Sequence, residues 1–381
     1  MRIGVDCRPL LDRPLTGVGE YTQRLLDALT LGGHEDDFVL FSNAFRPAPI
    51  ASWERPGVLV RQYHAPNKLL NASFALTGRP TFSRLLGRLD LFFAPNVNFF
   101  PTTAEVPFVL TVHDLSFHHF RDLLSRKRRL WHAALRLARL FQRADALLAV
   151  SRATAEDLRR TYGLTASKVF AVHSGVTTLL ADGAAQREVR DRYRLPTRFL
   201  LSLSTIEPRK NLVALLGAYT LLVHDHGYDG GLVIAGAPGW SRGAFGRVLA
   251  THPYRDRITV LPYVREPEKH ALYATADALC FLSLYEGFGF PPLEAAMHGT
   301  PVITGHHSSL AEVTAGAAAL VDVQNPREVA RVVHEVLTNA AYRERLTAAA
   351  RQVAERYSWE QTARETRQVF DEVVKRHAHR H

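Results

Sequence analysis

Apolar positions along this chain fall into short continuous runs, separated by stretches in which they recur at helical spacing. The run at 3–11, a glycine-bearing loop and an amphipathic stretch over 19–31 predict a strand, a loop and a helix. Further strands are predicted at 38–42, 58–63, 90–94, 107–112, 145–150 and 168–173, with helices between several of them, including 126–143 and 152–162. The series breaks over 174–197, where a polar and charged stretch runs to Pro196. A second series then begins, with strands at 198–204, 231–236, 257–262, 278–283, 301–304 and 318–321. Helices are predicted at 210–226, 266–275, 291–298, 326–338, 341–356 and 359–376.

Strands alternating with helices predict mostly parallel sheets covered on both faces. Two such series predict two doubly wound α/β units, with a boundary near 175–195. Ligands of such sheets bind outside the carboxyl ends of the strands, so two facing units would share a central cleft. The 381 residues suit two domains of roughly 100–200 residues each. No apolar run reaches the ~18–20 residues needed to cross a bilayer. The start, Met1 to Asp6, reads as a first strand and not as a signal peptide, so the expected compartment is the cytoplasm. Cys7 and Cys280 both stand in apolar runs and read as buried free thiols.

A net charge of +10 changes the picture by asking for an anionic partner. Nucleic acid, an anionic membrane surface and phosphate-bearing small molecules all fit. The densest basic stretch, 121–143, holds Arg121, Arg126, Lys127, Arg128, Arg129, Arg136, Arg139 and Arg143. Leu130, Trp131, Leu135, Ala138 and Phe141 recur there at near-helical spacing, which reads first as a core helix with a solvated basic face. The alternative is peripheral contact with an anionic membrane, on the inner face of the cell membrane. The chain lacks basic and aromatic residues interleaved on a recognisable nucleic-acid module, so no nucleic-acid partner is expected.

The richest chemistry lies in Glu286-Gly287-Phe288-Gly289-Phe290-Pro291-Pro292-Leu293-Glu294, closed by Gly299-Thr300-Pro301. Glu286 ends an apolar run, the glycines allow a tight turn, and the prolines suit the first turn of a helix. Glu294 is then expected in that first turn, where the helix dipole favours a carboxylate. A carboxylate can accept one hydrogen bond on each oxygen from paired hydroxyls. The bland alternative is a strand–turn–helix connection with two solvated acids. A second segment, Thr205-Ile206-Glu207-Pro208-Arg209-Lys210-Asn211, opens a predicted helix. Two cations at a helix start run against the dipole and want an anion nearby. Thr16-Gly17-Val18-Gly19 could bring backbone N–H groups to a phosphate, or simply form a turn. Thr111-Val112-His113-Asp114 ends a buried strand, and Asp114 could orient the His113 ring.

These segments resemble the retaining glycosyltransferases of family GT4, which have the GT-B fold of two Rossmann-like doubly wound domains facing a central cleft. The resemblance covers nearly the whole chain and is strongest over 200–360. It implies an acceptor domain over 1–178, joined by a C-terminal helix 361–381, and a nucleotide-sugar donor domain over 179–360. It implies that Glu286 contacts hydroxyls of the transferred sugar, that Gly287, Phe288 and Gly289 supply backbone contacts, and that Glu294 binds the ribose. Lys210, Arg209, Gly17 and Gly19 would hold the donor diphosphate. Where many members carry an arginine several residues before the lysine, this chain has Ser204 or a neighbour, and Arg209 is the candidate substitute. His113 would reach the sugar or phosphates and, with Glu286, serve the chemistry. Asp6, Arg8 and Asp114 would lie on the acceptor side.

The implied activity is transfer of a hexose from a nucleotide-sugar to a glycan or lipid-linked acceptor in surface-polysaccharide assembly. Mannose from GDP-mannose is the first expectation, with UDP- and dTDP-sugars open. No Asp-x-Asp offers an obvious metal site, so no metal or cofactor is expected. Other readings are an epimerase of the same fold, an inactive nucleotide-binding scaffold and a nucleic-acid-binding protein.

Overall fold

The computed structural model describes residues 1–12, 15–31, 36–44, 53–101, 106–177, 179, 181–239 and 243–379. Thr178, the expected domain boundary, and residues 380–381 of the expected last helix lie outside them. The chain forms two compact units. Unit 1 comprises Met1–Phe117, Arg126–Gly175 and Ser358–His381; unit 2 comprises His118–Ser125 and Val176–Tyr357.

Among the described residues, the sheet of unit 1 has seven strands: β1 (Arg2–Asp6), β2 (Asp37–Asn43), β3 (Val58–Tyr63), β4 (Leu91–Ala94), β5 (Phe108–Val112), β6 (Ala146–Ala149) and β7 (Val169–Ala171). Their order is β3-β2-β1-β4-β5-β6-β7, parallel throughout. Unit 2 repeats the plan with β8 (Phe199–Leu203), β9 (Gly231–Ala235), β10 (Ile258–Leu261), β11 (Ala278–Phe281), β12 (Val302–Gly305) and β13 (Ala318–Val321), in the order β10-β9-β8-β11-β12-β13. In both sheets the order reverses beside the first strand, between β1 and β4 and between β8 and β11. That switch point is where the open ends of such sheets bind ligands.

The strands read as unbroken apolar runs because both faces are covered. Every residue of β9, β11 and β12 is buried. Leu201, Leu232, Val233, Leu279 and Ile303 are wholly enclosed, and each such side chain contributes about 1.5–3 kcal/mol. Cys7 and Cys280 are buried free thiols.

The last helix, Trp359–Ala378, starts at Ser358, whose hydroxyl accepts from Gln361 N at 3.1 Å. It completes unit 1. Thr362 Oγ1 donates to His173 O at 2.8 Å, Arg367 meets Asp36 at 2.8 Å, and Phe370 packs 5.2 Å from Phe93. Gly175 permits this seat, because a Cβ there would lie 2.4 Å from Trp359 N.

The helices at 266–275 and 326–338 and the strand at 318–321 have their expected bounds. Three expectations need correction. The stretch 126–143 is two helices, Arg126–Leu135 and Leu137–Arg143, broken where Arg136 takes a left-handed φ of 48°. The apolar positions do not share one buried face: Leu135 and Phe141 are buried, whereas Leu130 is 72% and Trp131 37% exposed. The helix expected at 210–226 starts at Leu212, preceded by the 3-10 turn Pro208–Lys210 and a left-handed Asn211 (φ 56°). The polar stretch before Pro196 contains the helix Gly183–Tyr193, capped where Asp182 accepts from Ala185 N at 2.8 Å.

Candidate functional site

The carboxyl ends of β8 and β11 meet at the switch point of unit 2. From β8 the chain runs through Ser204 into the 3-10 turn, where left-handed Asn211 reverses it into the helix Leu212–His226. Arg209 and Lys210 therefore stand before the helix and not in its first turn. From β11 the chain runs to Glu286, and Leu284 N donates to Arg209 O at 2.9 Å, joining the two loops.

The anion that the two cations were expected to want is Glu286. Lys210 Nζ lies 2.5 Å from its Oε1, and Arg209 Nη1 lies 3.0 Å from its Oε2. Arg209 also donates to Tyr285 O at 2.6 Å and to Glu207 Oε1 at 2.9 Å. The Lys210 and Glu286 side chains are each 11% exposed. Burial opposes ionisation of Glu286, but Arg209 and Lys210 outweigh it and hold the carboxyl at about 2. Burial and then the Arg209 charge push the Lys210 ammonium down, while Glu286 and Glu207 pull it back up.

The turn after Glu286 is held from the loop following β12. Glu286 N donates to Ser308 Oγ at 3.0 Å, and Ser309 Oγ lies 2.9 Å from both the Glu286 and the Phe288 carbonyls. Gly287, Phe288 and Gly289 are buried. Gly289 precedes the helix Phe290–Met297 with φ 106°, and a Cβ there would meet Leu310 at 2.8 Å, so the turn requires glycine.

Glu294 falls one turn into that helix and not in its first turn, because the helix already begins at Phe290. Its burial, 2% of the residue exposed, is balanced by direct partners more than by the dipole. Lys269 Nζ lies 2.7 Å from Oε1, and Tyr273 OH donates to Oε2 at 2.8 Å. Neither partner stands in a motif. Their spacing, i and i+4 on Glu266–Thr275, is the only sequence signal that pairs them.

In unit 1, Gly17 and Gly19 lie inside the first turn of the helix Gly17–Leu31, not in a loop before it. Glu20 N donates to Thr16 O at 2.8 Å, and the three N–H groups before it start the helix without intrahelical partners. Gly17 is exposed, whereas Gly19 is packed, a Cβ there falling 2.5 Å from Leu15.

His113 follows β5, and its Nε2 lies 2.8 Å from Pro95 O, which follows β4. A carbonyl only accepts, so Nε2 carries a proton. Burial lowers the pKa, opposed by that hydrogen bond and by the Asp114 charge. The neutral ring then keeps Nδ1 as an acceptor. Tyr21 packs edge-on against it at 4.8 Å. Asp114 does not orient the ring by a hydrogen bond: its Oδ1 accepts from Ser116 N at 2.9 Å and Ser116 Oγ at 2.7 Å, starting the turn at Ser116–His119.

Asp6 and Arg8 are buried, with Asp6 wholly enclosed and Arg8 8% exposed. Arg8 Nε and Nη2 reach the two Asp6 oxygens at 2.8 and 2.9 Å, and Nη2 also donates to Phe99 O at 3.1 Å. The guanidinium lies among the Phe41, Phe74 and Phe100 rings. Their charges are thus turned on each other inside unit 1.

Two family models match the chain. One, described as Glycosyl transferases group 1, matches residues 186–353; the other, described as Glycosyltransferase Family 4, matches residues 15–178. Over 376 residues the chain is 28% identical to the O-antigen chain mannosyltransferase B of Escherichia coli, covering 93% of this chain and 95% of that one. Over 229 residues it is 31% identical to the serotype-specific mannosyltransferase WbdA of Escherichia coli. That match takes in 58% of this chain and only 28% of WbdA. Among solved structures, HepE of Anabaena in complex with UDP and glucose superposes with a TM-score of 0.71 at 15% identity, over 98% of this chain and all of that one. At that identity the likeness is one of fold.

Proposed function

This chain belongs to family 4 of the glycosyltransferases, on the GT-B fold, and we propose that it moves a hexose, mannose first, from a nucleotide-sugar to a glycan or lipid-linked acceptor. One observation carries the reading: Arg209, Lys210 and Glu286 gather at the switch point of unit 2, beside a glycine turn and a helix start. Two cations in a partly enclosed site suit a diphosphate, and a carboxylate beside them suits sugar hydroxyls. GDP-mannose is the preferred donor because two relatives carry the name mannosyltransferase. UDP-sugars are the second choice, since HepE was solved with UDP and glucose.

In the proposed reaction the bond from the anomeric carbon to the leaving phosphate breaks, and a bond to the acceptor oxygen forms on the same face. The acceptor proton passes to the departing phosphate oxygen, giving retention without a covalent intermediate. Lys210 and Arg209 stabilise the charge that develops on the diphosphate. Glu286 holds sugar hydroxyls. The two cations do the work of a divalent metal, so chelation by EDTA leaves turnover unchanged.

The test is incubation with GDP-mannose, UDP-glucose and a dTDP-hexose, with lipid-linked oligosaccharide as acceptor, followed by mass spectrometry and anomeric proton couplings. Acceptor-dependent release of one nucleoside diphosphate, with an α-linked product from an α-linked donor, is expected. Release of the sugar without an acceptor, interconversion of the donor, or no turnover of any donor would contradict the reading.

A second surface bears on where the acceptor is met. Among the described residues no helix is long and apolar enough to cross a membrane. The helix Arg126–Leu135 instead exposes Arg126, Lys127 and Arg128 together with Leu130 and Trp131. Basic groups flanking exposed apolar side chains suit the interface of an anionic bilayer. Flotation with phosphatidylglycerol vesicles, weakened by salt and by Leu130→Glu, is expected; equal flotation with neutral vesicles contradicts the membrane contact.

A further inference from the structure

Glu294 is enclosed, and its charge needs partners that fix it as well as compensate it. Both come from one element, the helix Glu266–Thr275. Lys269 reaches Oε1 at 2.7 Å, and Tyr273 OH donates to Oε2 at 2.8 Å. Four residues apart, they project from the same face of the helix, so a single rigid element grips both carboxylate oxygens.

That helix is tied at each end. Glu268 reaches back to accept from Arg265 N at 2.9 Å, closing the first turn. At the other end Thr300 Oγ1 donates to Tyr273 O at 2.6 Å, and Tyr273 itself is wholly buried. The two partners differ in kind. Lys269 supplies charge from a partly exposed position, whereas Tyr273 supplies direction from the interior.

A carboxylate offers about four lone pairs, two on each oxygen. With one lone pair of each oxygen committed to the helix, the other stays available in the plane that the helix has fixed. Two acceptors held side by side in one plane match two neighbouring hydroxyls. We infer that Lys269 and Tyr273 are positioning residues for Glu294, aiming it so that it accepts the 2′- and 3′-hydroxyls of a ribose. The inference rests on the nucleotide-sugar reading of unit 2.

The test compares affinities for GDP and UDP with those for their 2′,3′-dideoxy forms, by calorimetry on the full chain. The ratio isolates the ribose contacts, because base and diphosphate are unchanged. Wild type should prefer the ribose form by about 10- to 100-fold, the range of hydrogen bonds to a charged group. Tyr273→Phe and Lys269→Met should each cut that ratio at least about fivefold, with dideoxy affinity held within about twofold; Lys269→Arg should restore part of it. A purely structural role would lower both affinities together, leave the ratio intact and overturn the inference. So would a ratio lost in Glu294→Gln but kept in the Tyr273 and Lys269 variants, with the ribose reading still standing. Absence of binding, or equal binding of both forms by wild type, overturns the ribose reading and this inference with it.

Discussion

Glu286 and Glu294 leave the same turn-and-helix segment and meet different company. Glu286 faces two cations, each within 3.0 Å, and is itself the anion that neutralises them. Glu294 faces one cation and one phenol, which set its direction as much as its charge. On the proposed function the first arrangement is exchangeable: the donor diphosphate would take the place of the carboxylate against Arg209 and Lys210. The second is fixed, because both partners stand on one helix and each holds a different oxygen of the carboxylate. A diphosphate is read by charge and a diol by direction; on the proposed function Arg209 and Lys210 would serve the first task and Glu294 the second.

The largest expected effect sharpens the exchangeable side. Lys210→Ala should lower turnover by about 10³-fold, as loss of a charge-stabilising group does. It should also weaken nucleoside diphosphate binding, since Glu286 is then left against Arg209 alone. Glu286→Gln is the change most able to break the comparison. Turnover should fall about 10²-fold, yet nucleoside diphosphate should bind more tightly, because the internal competitor has lost its charge. Weaker binding in that variant, measured by calorimetry, would mean that Glu286 does not occupy the place of a phosphate.

Acid should test the Glu286 pairing next. The Glu286 carboxyl is held at about 2, against 4.5 when free. A group that ionises more readily when folded adds stability above its unfolded pKa, and loses it as the pH falls toward the folded one. The Glu286 contribution is therefore complete above about pH 4.5 and lost between there and pH 2. Urea midpoints measured across that window should fall less steeply in Glu286→Gln than in wild type. The smallest effect belongs to Glu294→Gln, which should raise the KM for the donor about tenfold with kcat nearly unchanged, the signature of lost uniform binding.

The two series of apolar runs announced both sheets, because parallel strands buried on two faces leave long apolar signatures. The spacing of Glu286 and Glu294, with Pro291 and Pro292 between them, announced the turn and the helix. What escaped was set by tertiary contact or by backbone strain. Lys269 and Tyr273 sit on a helix that reads as ordinary, and their partner is 25 and 21 residues away. Arg136 adopts a left-handed conformation without the glycine or asparagine that would signal it. Asn211 does carry that signal, and it could have placed the helix start at Leu212. An acid and a base two residues apart at the end of β1 could equally have suggested the Asp6–Arg8 pair.

The most direct measurement is calorimetry of GDP, UDP, dTDP and ADP against wild type, Lys210→Ala and Glu294→Ala. The account predicts that one nucleoside diphosphate binds well ahead of the others and that both variants lose it, which would also name the donor class. Failure of all four to bind, or binding that survives both substitutions, would contradict a nucleotide-sugar site at the switch point of unit 2.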